Sequence, residues 1–230
     1  MDQRLQFAKR ICQEAGDLTL KYFRSPDLSI ESKSDGSPVT IADRESETYM
    51  RRMIQEEFPS DGIVGEEYGT VVGTSDWDWV LDPIDGTESF SRGVAQYGVL
   101  IGLEKNRCPV AGVVNLPALG EFFWGATGKG GYWTPSVGSK ELLCSVSKTT
   151  KLSDSLVCTA GREYFEKDHL PRLTKVLDLA KRDRGWGDCY GHMLVLTGRA
   201  DAIIENGVKR WDLSALYPLI TEAGGRMTDF

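Results

Sequence analysis

Apolar residues at Leu5, Ala8, Ile11, Ala15, Leu18 and Tyr22 fall on one helical stripe and predict an amphipathic helix over residues 3–23. Ser25-Pro26 ends it, because the residue before a proline avoids the helical region. Residues 28–33 alternate weakly and read as a strand, and 33–38, Lys-Ser-Asp-Gly-Ser-Pro, reads as a loop. A second helix is expected over about 40–58, with Ser46, Met50, Met53, Ile54 and Glu57 along its inner side, before Pro59-Ser60-Asp61-Gly62 breaks it. A short strand, Ile63-Val64-Gly65, then runs into the acidic pair Glu66-Glu67. Strands are expected again at 97–104, 109–116, 121–126 and 131–134, with turn residues between them, which predicts an antiparallel, hairpin-connected sheet. Beyond the polar stretch 135–151 the pattern alternates: strand 155–160, helix 170–182, helix 188–197, strand 201–205 and a last helix 212–223 before Gly224-Gly225. The polar stretch is the expected junction between an α+β part, residues 1–140, and an α/β part, residues 141–230.

The chain is organised around residues 79–90, Trp-Val-Leu-Asp-Pro-Ile-Asp-Gly-Thr-Glu-Ser-Phe. Trp79-Val80-Leu81 is an apolar run of the kind that forms a buried strand. Pro83 stiffens the turn that follows and holds Asp82 and Asp85 at a set separation. Thr87 is suited to start a helix, whose free N–H groups and positive dipole end attract anions. Fixed carboxylates beside such a helix start point to a metal bridging protein and phosphate. An acidic strand-to-helix turn with no metal would show the same residues.

Charge sharpens this picture. The 230 residues carry a net charge of −7 with no basic cluster, which argues against nucleic-acid binding. A small anionic substrate would be repelled unless bound cations inverted the local field. The five cysteines are odd in number, widely spaced and free of C-x-x-C pairs, so neither a disulfide framework nor a zinc site is expected. No signal peptide or membrane-spanning stretch is read, so a cytoplasmic location is expected.

Glu66 and Glu67, like Asp82 and Asp85, sit at a strand end, and two such strands can bring their carboxylates to one sheet edge. Like-charge repulsion would destabilise that cluster unless cations neutralised it, and hard oxygen donors select Mg²⁺, Mn²⁺ or Ca²⁺. A solvated acidic turn is the plainer reading of Glu66 and Glu67. Asp212 is placed to cap a helix, a role compatible with ligating a metal. Glu205 at a strand end and Asp43 just inside the second helix are, each alone, ordinary surface charges. Residues 125–131, Gly-Ala-Thr-Gly-Lys-Gly-Gly, lack the spacing of a phosphate loop and read as a hairpin turn. With two histidines, no covalent nucleophile with its base is indicated.

Taken together, Gly65-Glu66-Glu67, the Asp82-Pro-Ile-Asp-Gly-Thr87 run and Trp211-Asp212 through Glu222-Ala-Gly-Gly225 resemble the signature motifs of the inositol monophosphatase family. Val39-Thr40-Ile41-Ala42-Asp43 is similar to its upstream V-T-x-x-D element. The resemblance implies an α-β-α-β-α layered sandwich of the inositol monophosphatase/fructose-bisphosphatase type. It also implies a Mg²⁺-dependent phosphomonoesterase, commonly dimeric, with two or three ions per site. Glu66, Asp82 and the Ile84 carbonyl would hold one ion, and Asp82, Asp85 and Asp212 another. Gly86 and Thr87 would contact the phosphate, with Asp85 and Asp212 also lining the substrate site. Asp43, Thr87 and Glu66 would be catalytic, Asp43 and Thr87 orienting and helping to deprotonate the attacking water. The partner would be a small phosphate monoester, with no nucleic acid and no membrane.

Trp186-Gly-Asp-Cys-Tyr-Gly191 further resembles the histidinol-phosphate phosphatase branch. Inositol phosphatases tend to carry a small uncharged residue where Asp188 falls. Asp188 and Glu205 would pair with the amine and imidazole of histidinol phosphate, whereas inositol offers only hydroxyls. Glu205 discriminates less, since inositol phosphatases use an acid there for a hydroxyl. Inositol 1-phosphate or a related sugar phosphate is the alternative substrate. A catalytically silent metal- or phosphate-binding protein is the alternative of another class. Family members usually continue for a few more strands beyond the Gly-Gly turn, so a last strand is expected to be missing from a sequence that stops at Phe230.

Overall fold

The computed structural model describes residues 1–33 and 36–229, apart from the Glu163 side chain; Ser34, Asp35 and Phe230 of the expected loop and terminus lie outside the described residues. The first half comprises α1 (Asp2–Leu20), β1 (Ile30–Ser32), β2 (Pro38–Thr40), α2 (Ile41–Glu57), β3 (Gly62–Gly65), β4 (Gly69–Val71), β5 (Trp77–Asp85) and α3 (Thr87–Ser91). A ladder follows: β6 (Gly98–Lys105), β7 (Cys108–Leu116), β8 (Glu121–Ala126), β9 (Gly130–Thr134) and β10 (Leu142–Leu143). The remainder is β11 (Leu156–Thr159), α4 (Leu170–Leu179), β12 (Arg182–Arg184), α5 (Asp188–Leu196), β13 (Ala202–Ile204), α6 (Arg210–Ser214) and α7 (Leu216–Glu222).

The central sheet has eight strands in the order β10-β9-β8-β7-β6-β5-β3-β4. Every pair in it is antiparallel except β3 with β5, which run parallel. Strand alternation sorts its side chains into two faces. On one face Trp79, Leu81, Val99, Ile101, Leu103, Ala111 and Val113 pack against Leu5, Ala8, Ile11 and Ala15 of α1 and Met50 and Ile54 of α2. On the other, Leu100, Val114, Leu116 and Phe123 meet Met193 and Leu196 of α5 and Leu216, Leu219 and Ile220 of α7. At about 1.5–3 kcal/mol for each fully buried large side chain, these contacts fix β5 and β6 firmly between two helical layers. The small parallel sheet, β12-β11-β13, takes the far side of α5 through Cys158, Leu194, Ala200 and Ile203. Val157, pointing opposite to Cys158, is also fully buried. The central strand β11 is therefore covered on both faces, while β12 at the edge is exposed, and the β11-to-β12 connection runs through α4. The result is the layered α+β sandwich.

Four local expectations are revised. α1 ends at Leu20, and the chain turns through Arg24 at φ 61°. Glu57 is exposed, and the buried polar residues of α2 are Asp43, Ser46, Glu47 and Arg51. The helix expected over 170–182 stops at Leu179, because Ala180 is extended and Arg182–Arg184 pairs with β11 as a strand. The last helix begins at Arg210 and divides at Ala215, since Pro218 has no N–H to offer the Ser214 carbonyl. The hairpin expected at 125–131 forms, and Glu222 of α7 accepts the Gly128 and Gly130 N–H groups of its turn, both at 2.8 Å. That explains the glutamate of the Glu-Ala-Gly-Gly stretch as a structural anchor.

Candidate active site

In a regular strand, residues three apart point to opposite faces. Asp82 and Asp85 do not, because β5 shifts register between Asp82, paired with Leu100, and Asp85, paired with Gly98. Three steps on β5 oppose two on β6, a bulge at Pro83-Ile84 that turns both carboxylates to the side away from Trp79 and Leu81. Pro83 cannot donate to the ladder, and the Ile84 N–H turns to Asp82 Oδ1 at 3.1 Å. The parallel register sets Gly65 beside Leu81, so Glu66 leaves β3 next to Asp82. Gly86 then takes φ 84°, where a Cβ would be strained and would approach the Gln96 carbonyl and Asp188 Oδ2 at 3.0 and 3.1 Å.

Asp212 arrives from far along the sequence on α6, which packs against β5 and β6. It is the third helical residue, not the cap, and its Oδ2 accepts the Lys209 N–H at 2.6 Å. One carboxylate oxygen from each of Asp82, Asp85 and Asp212 lies within 4.8 Å of the others. Burial raises the Asp82 carboxyl well above its ordinary range, and the charges of Glu66, Asp85 and Asp212 add to this. Asp85 is likewise raised by burial and then by Asp188 and Asp212, and Asp212 and Glu66 are raised chiefly by burial. Buried like charges with oxygen donors only are a site that a hard divalent cation would stabilise. The Lys33 ammonium sits at the edge of this cluster, 2.7 Å from Glu66 and 2.6 Å from Glu67.

The turn that carries Glu66 and Glu67 is held from below. Glu47, fully buried on α2, accepts the Glu67 and Tyr68 N–H groups at 2.7 and 3.2 Å. It also takes Arg51 Nε at 2.7 Å, and Arg51 in turn donates to the Gly69 carbonyl. Glu47→Ala would strand a mostly buried guanidinium and two N–H groups. Breaking a buried pair costs about 3–5 kcal/mol, so calorimetry should show melting lowered by roughly 6–20 °C in a chain this size.

Asp43 and Thr87 meet across the α2 and α3 starts. Asp43 is fully buried; burial pushes its carboxyl up to about 6 against the hydrogen bonds from Thr40. Thr40 donates its N–H and hydroxyl to Asp43 Oδ2 at 2.8 and 2.6 Å. The single Thr87 hydroxyl proton has two acceptors within reach, Ile84 O at 2.9 Å and Asp43 Oδ1 at 3.2 Å.

A cavity of about 560 Å³ opens over these groups and extends to α5 and β13. There Asp188 adopts φ 54°, a left-handed conformation that a non-glycine residue holds only under constraint. Its N–H donates to Glu205 Oε1 at 2.7 Å, and the next N–H, of Cys189, donates to Asp85 Oδ2. His192 Nε2 lies 2.7 Å from Glu205 Oε2, so both oxygens of Glu205 are engaged by protein. Burial would raise Glu205, but the His192 ring and the Asp188 N–H bring it below its ordinary value. The Asp188 carboxylate faces the cavity with no hydrogen bond among the described residues, and burial, then Glu205 and Asp212, push it up to about 6.

The structure thus gathers every residue singled out in the sequence: Asp43, Glu66, Asp82, Ile84, Asp85, Gly86, Thr87, Asp188, Glu205 and Asp212. Asp188 is the first helical residue of α5. Lys33, the Glu47–Arg51 pair and His192 join the site or its support without having been singled out. Only Glu47–Arg51 carried a local signal, an opposite-charge pair four apart on a helix.

Comparison with known proteins agrees with this geometry. Residues 1–230 match the profile of the inositol monophosphatase family. A histidinol-phosphatase of Chlorobaculum parvum is 40% identical over 98% of this chain and 85% of its own length. One of Mycobacterium tuberculosis is 36% identical over 97% of this chain and 86% of its own. The solved structure of an inositol monophosphatase from Zymomonas mobilis superposes with a TM-score of 0.84 at 33% identity, covering 97% of this chain and 84% of that one. No helix among the described residues is long and apolar enough to cross a membrane. An acid cluster brought together by a strand bulge, a parallel strand pair and a distant helix, in a chain matching one family from end to end, leads to one conclusion: this protein belongs to the inositol monophosphatase family and is a phosphatase.

Proposed function

We propose that the protein hydrolyses histidinol phosphate to histidinol and inorganic phosphate, with Mg²⁺ held by Asp82, Asp85, Asp212, Glu66 and the Ile84 carbonyl. The observation that carries the substrate is Asp188: a carboxylate with no hydrogen bond among the described residues, on a constrained backbone, in the cavity that also holds the acid cluster. Such a group matches a protonated amine or imidazole, and unpaired it is costly to bury. Glu205, already saturated by His192 and the Asp188 N–H, serves chiefly to hold Asp188 in place. The names of the two histidinol-phosphatase relatives support the same choice.

Bound Mg²⁺ would screen the phosphate oxygens and bring the pKa of the attacking water towards neutrality. The chain's own part is orientation and proton transfer. As the water oxygen attacks phosphorus, its proton passes through the Thr87 hydroxyl to Asp43, the opposite P–O ester bond breaks, and the departing alcohol oxygen takes a proton from solvent. The Cys189 N–H keeps Asp85 turned to the phosphate, and the Gly86 turn leaves room for it. No phosphoenzyme is required.

The test is phosphate release from histidinol phosphate and inositol 1-phosphate, side by side, with and without Mg²⁺. Preference for histidinol phosphate, dependent on Mg²⁺, is expected; preference for inositol 1-phosphate would overturn the substrate assignment and leave the family intact. Asp188→Asn should lower kcat/KM for histidinol phosphate by about 10–100-fold, the worth of a hydrogen bond to a charged partner. The loss on inositol 1-phosphate should stay below about threefold. Equal losses on both would remove Asp188 from recognition.

A further inference from the structure

We propose that Arg210 is a positioning residue for Asp212: by clamping α6 to Glu104 and Asp78 of the central sheet, it sets the distance at which Asp212 meets Asp82 and Asp85. The inference rests on the metal site proposed above and concerns how that site is assembled.

Asp78 of β5 and Glu104 of β6 are direct cross-strand partners, two acids side by side on the face that also carries Asp82. Facing like charges destabilise a sheet unless a cation joins them. Arg210 supplies it. Its Nε and Nη2 reach Glu104 Oε1 and Oε2 at 3.1 and 2.6 Å, a two-pronged contact, and Nη2 also reaches Asp78 Oδ2 at 3.2 Å. Glu104 is 2% exposed, so this contact is shielded from solvent on the carboxylate side. Ser214, one turn further along α6, donates its hydroxyl to Glu104 Oε1 at 2.9 Å. Both ends of this short helix therefore grip the same carboxylate.

Arg210 and Asp212 are two positions apart, so on a helix their side chains point to nearly opposite sides. Pulling Arg210 onto β5 and β6 turns Asp212 towards the bulge. The anchor and the target share one strand: Asp78 and Asp82 lie on the same face of β5, four residues or about 13 Å apart. The sheet beneath is cut away to let the helix approach. A Cβ at Gly102 would lie 2.3 Å from Ser214 Oγ, and one at Gly112 only 1.9 Å from the Ala215 carbonyl oxygen. Contact depth is thus set by backbone, and in-plane placement by the Arg210 fork. Lysine could keep the charge but not the fork.

The experiment reads metal occupancy directly, without turnover. Mn²⁺ is titrated into metal-free protein and the free ion followed by electron paramagnetic resonance, for wild type, Arg210→Met, Arg210→Lys and Asp78→Asn, each at a temperature where circular dichroism shows it folded. Losing a group that orients a metal ligand costs about 10–100-fold in affinity, so Arg210→Met should weaken Mn²⁺ binding by at least tenfold. Arg210→Lys should give an intermediate loss, and Asp78→Asn, which spares Glu104, a loss of about two- to threefold. If Arg210→Met fails to fold, the lysine variant carries the test. A lowered melting temperature with unchanged Mn²⁺ affinity in the arginine variants would make Arg210 a mere stabiliser and overturn the proposal. Absence of Mn²⁺ binding in the wild type would overturn the metal site itself, and the clamp with it.

Discussion

Asp85→Asn is expected to abolish Mg²⁺-dependent phosphate release while making the metal-free protein more stable. The two effects have one origin. Asp85 sits against Asp82, Asp188 and Asp212, and burial together with these neighbours raises its carboxyl well above the ordinary range. The ionised form is therefore a strain on the folded chain, which an amide of the same shape relieves. Asn can still accept the Cys189 N–H that Asp85 accepts now, so α5 stays in place. As a proposed metal ligand, however, Asp85 carries part of a charge stabilisation worth several kcal/mol, and each 1.4 kcal/mol is tenfold. Turnover should fall by about three orders of magnitude or more. Melting of the EDTA-treated variant should rise by a few degrees relative to wild type. Retained Mg²⁺-dependent turnover would remove Asp85 from the catalytic site.

Adding Mg²⁺ to metal-free protein at pH 7.5 is expected to raise its melting temperature by roughly 5–10 °C. Saturation at a hundredfold excess over Kd contributes about 2.7 kcal/mol, and a chain of this size gains about 2–4 °C per kcal/mol. At pH 5 the gain should fall below about half of that, because protons then compete for the same oxygens. The sign without metal follows from linkage. Where an acid has a higher pKa folded than unfolded, the folded chain binds more protons between the two values, and stability falls as pH rises through that window. Asp43 and Asp188 are both pushed from the ordinary 3.8 up to about 6, so the metal-free chain loses stability from about pH 4 to pH 6. Asp82 and Asp85, raised chiefly by burial, add to the loss in the same sense. Glu205, Asp61 and Asp201 are held low and act in the opposite sense, losing their contribution as pH drops below the ordinary carboxylate range. Calorimetry of EDTA-treated protein against pH would show this as a maximum in mild acid. A melting temperature that rises steadily from pH 5 to pH 8 without metal would contradict the repulsive cluster.

Part of the candidate site was readable from a single stretch, whereas Asp43 and Glu205 read alone as ordinary surface charges and joined it only through the family resemblance. The Asp82-to-Thr87 run is an apolar strand meeting a stiff, acidic turn, and its periodicity says so without reference to anything distant. The α1 stripe and the hairpin ladder from β6 to β9 were visible for the same reason: period 3.6 and period 2 are properties of ten or so neighbouring residues. The carboxylates at the ends of β3 and β5 could be assigned to one edge, but the parallel pairing that puts them side by side could not, since it joins strands separated by β4.

What the sequence by itself determined is therefore the inventory: which residues are candidates for the chemistry, which elements carry those residues, and the family they belong to. The tertiary structure decided how they face one another. It placed a bulge between Asp82 and Asp85 that reverses the side on which the second carboxylate emerges. It brought Lys33 to Glu66 and Glu67, His192 and the Asp188 N–H to Glu205, and Arg210 to a glutamate more than a hundred positions away. A side chain's partner across the fold depends on register, on bulges and on how closely helices approach the sheet. Those are set by the packing of all the elements at once, and no local period in the chain records them.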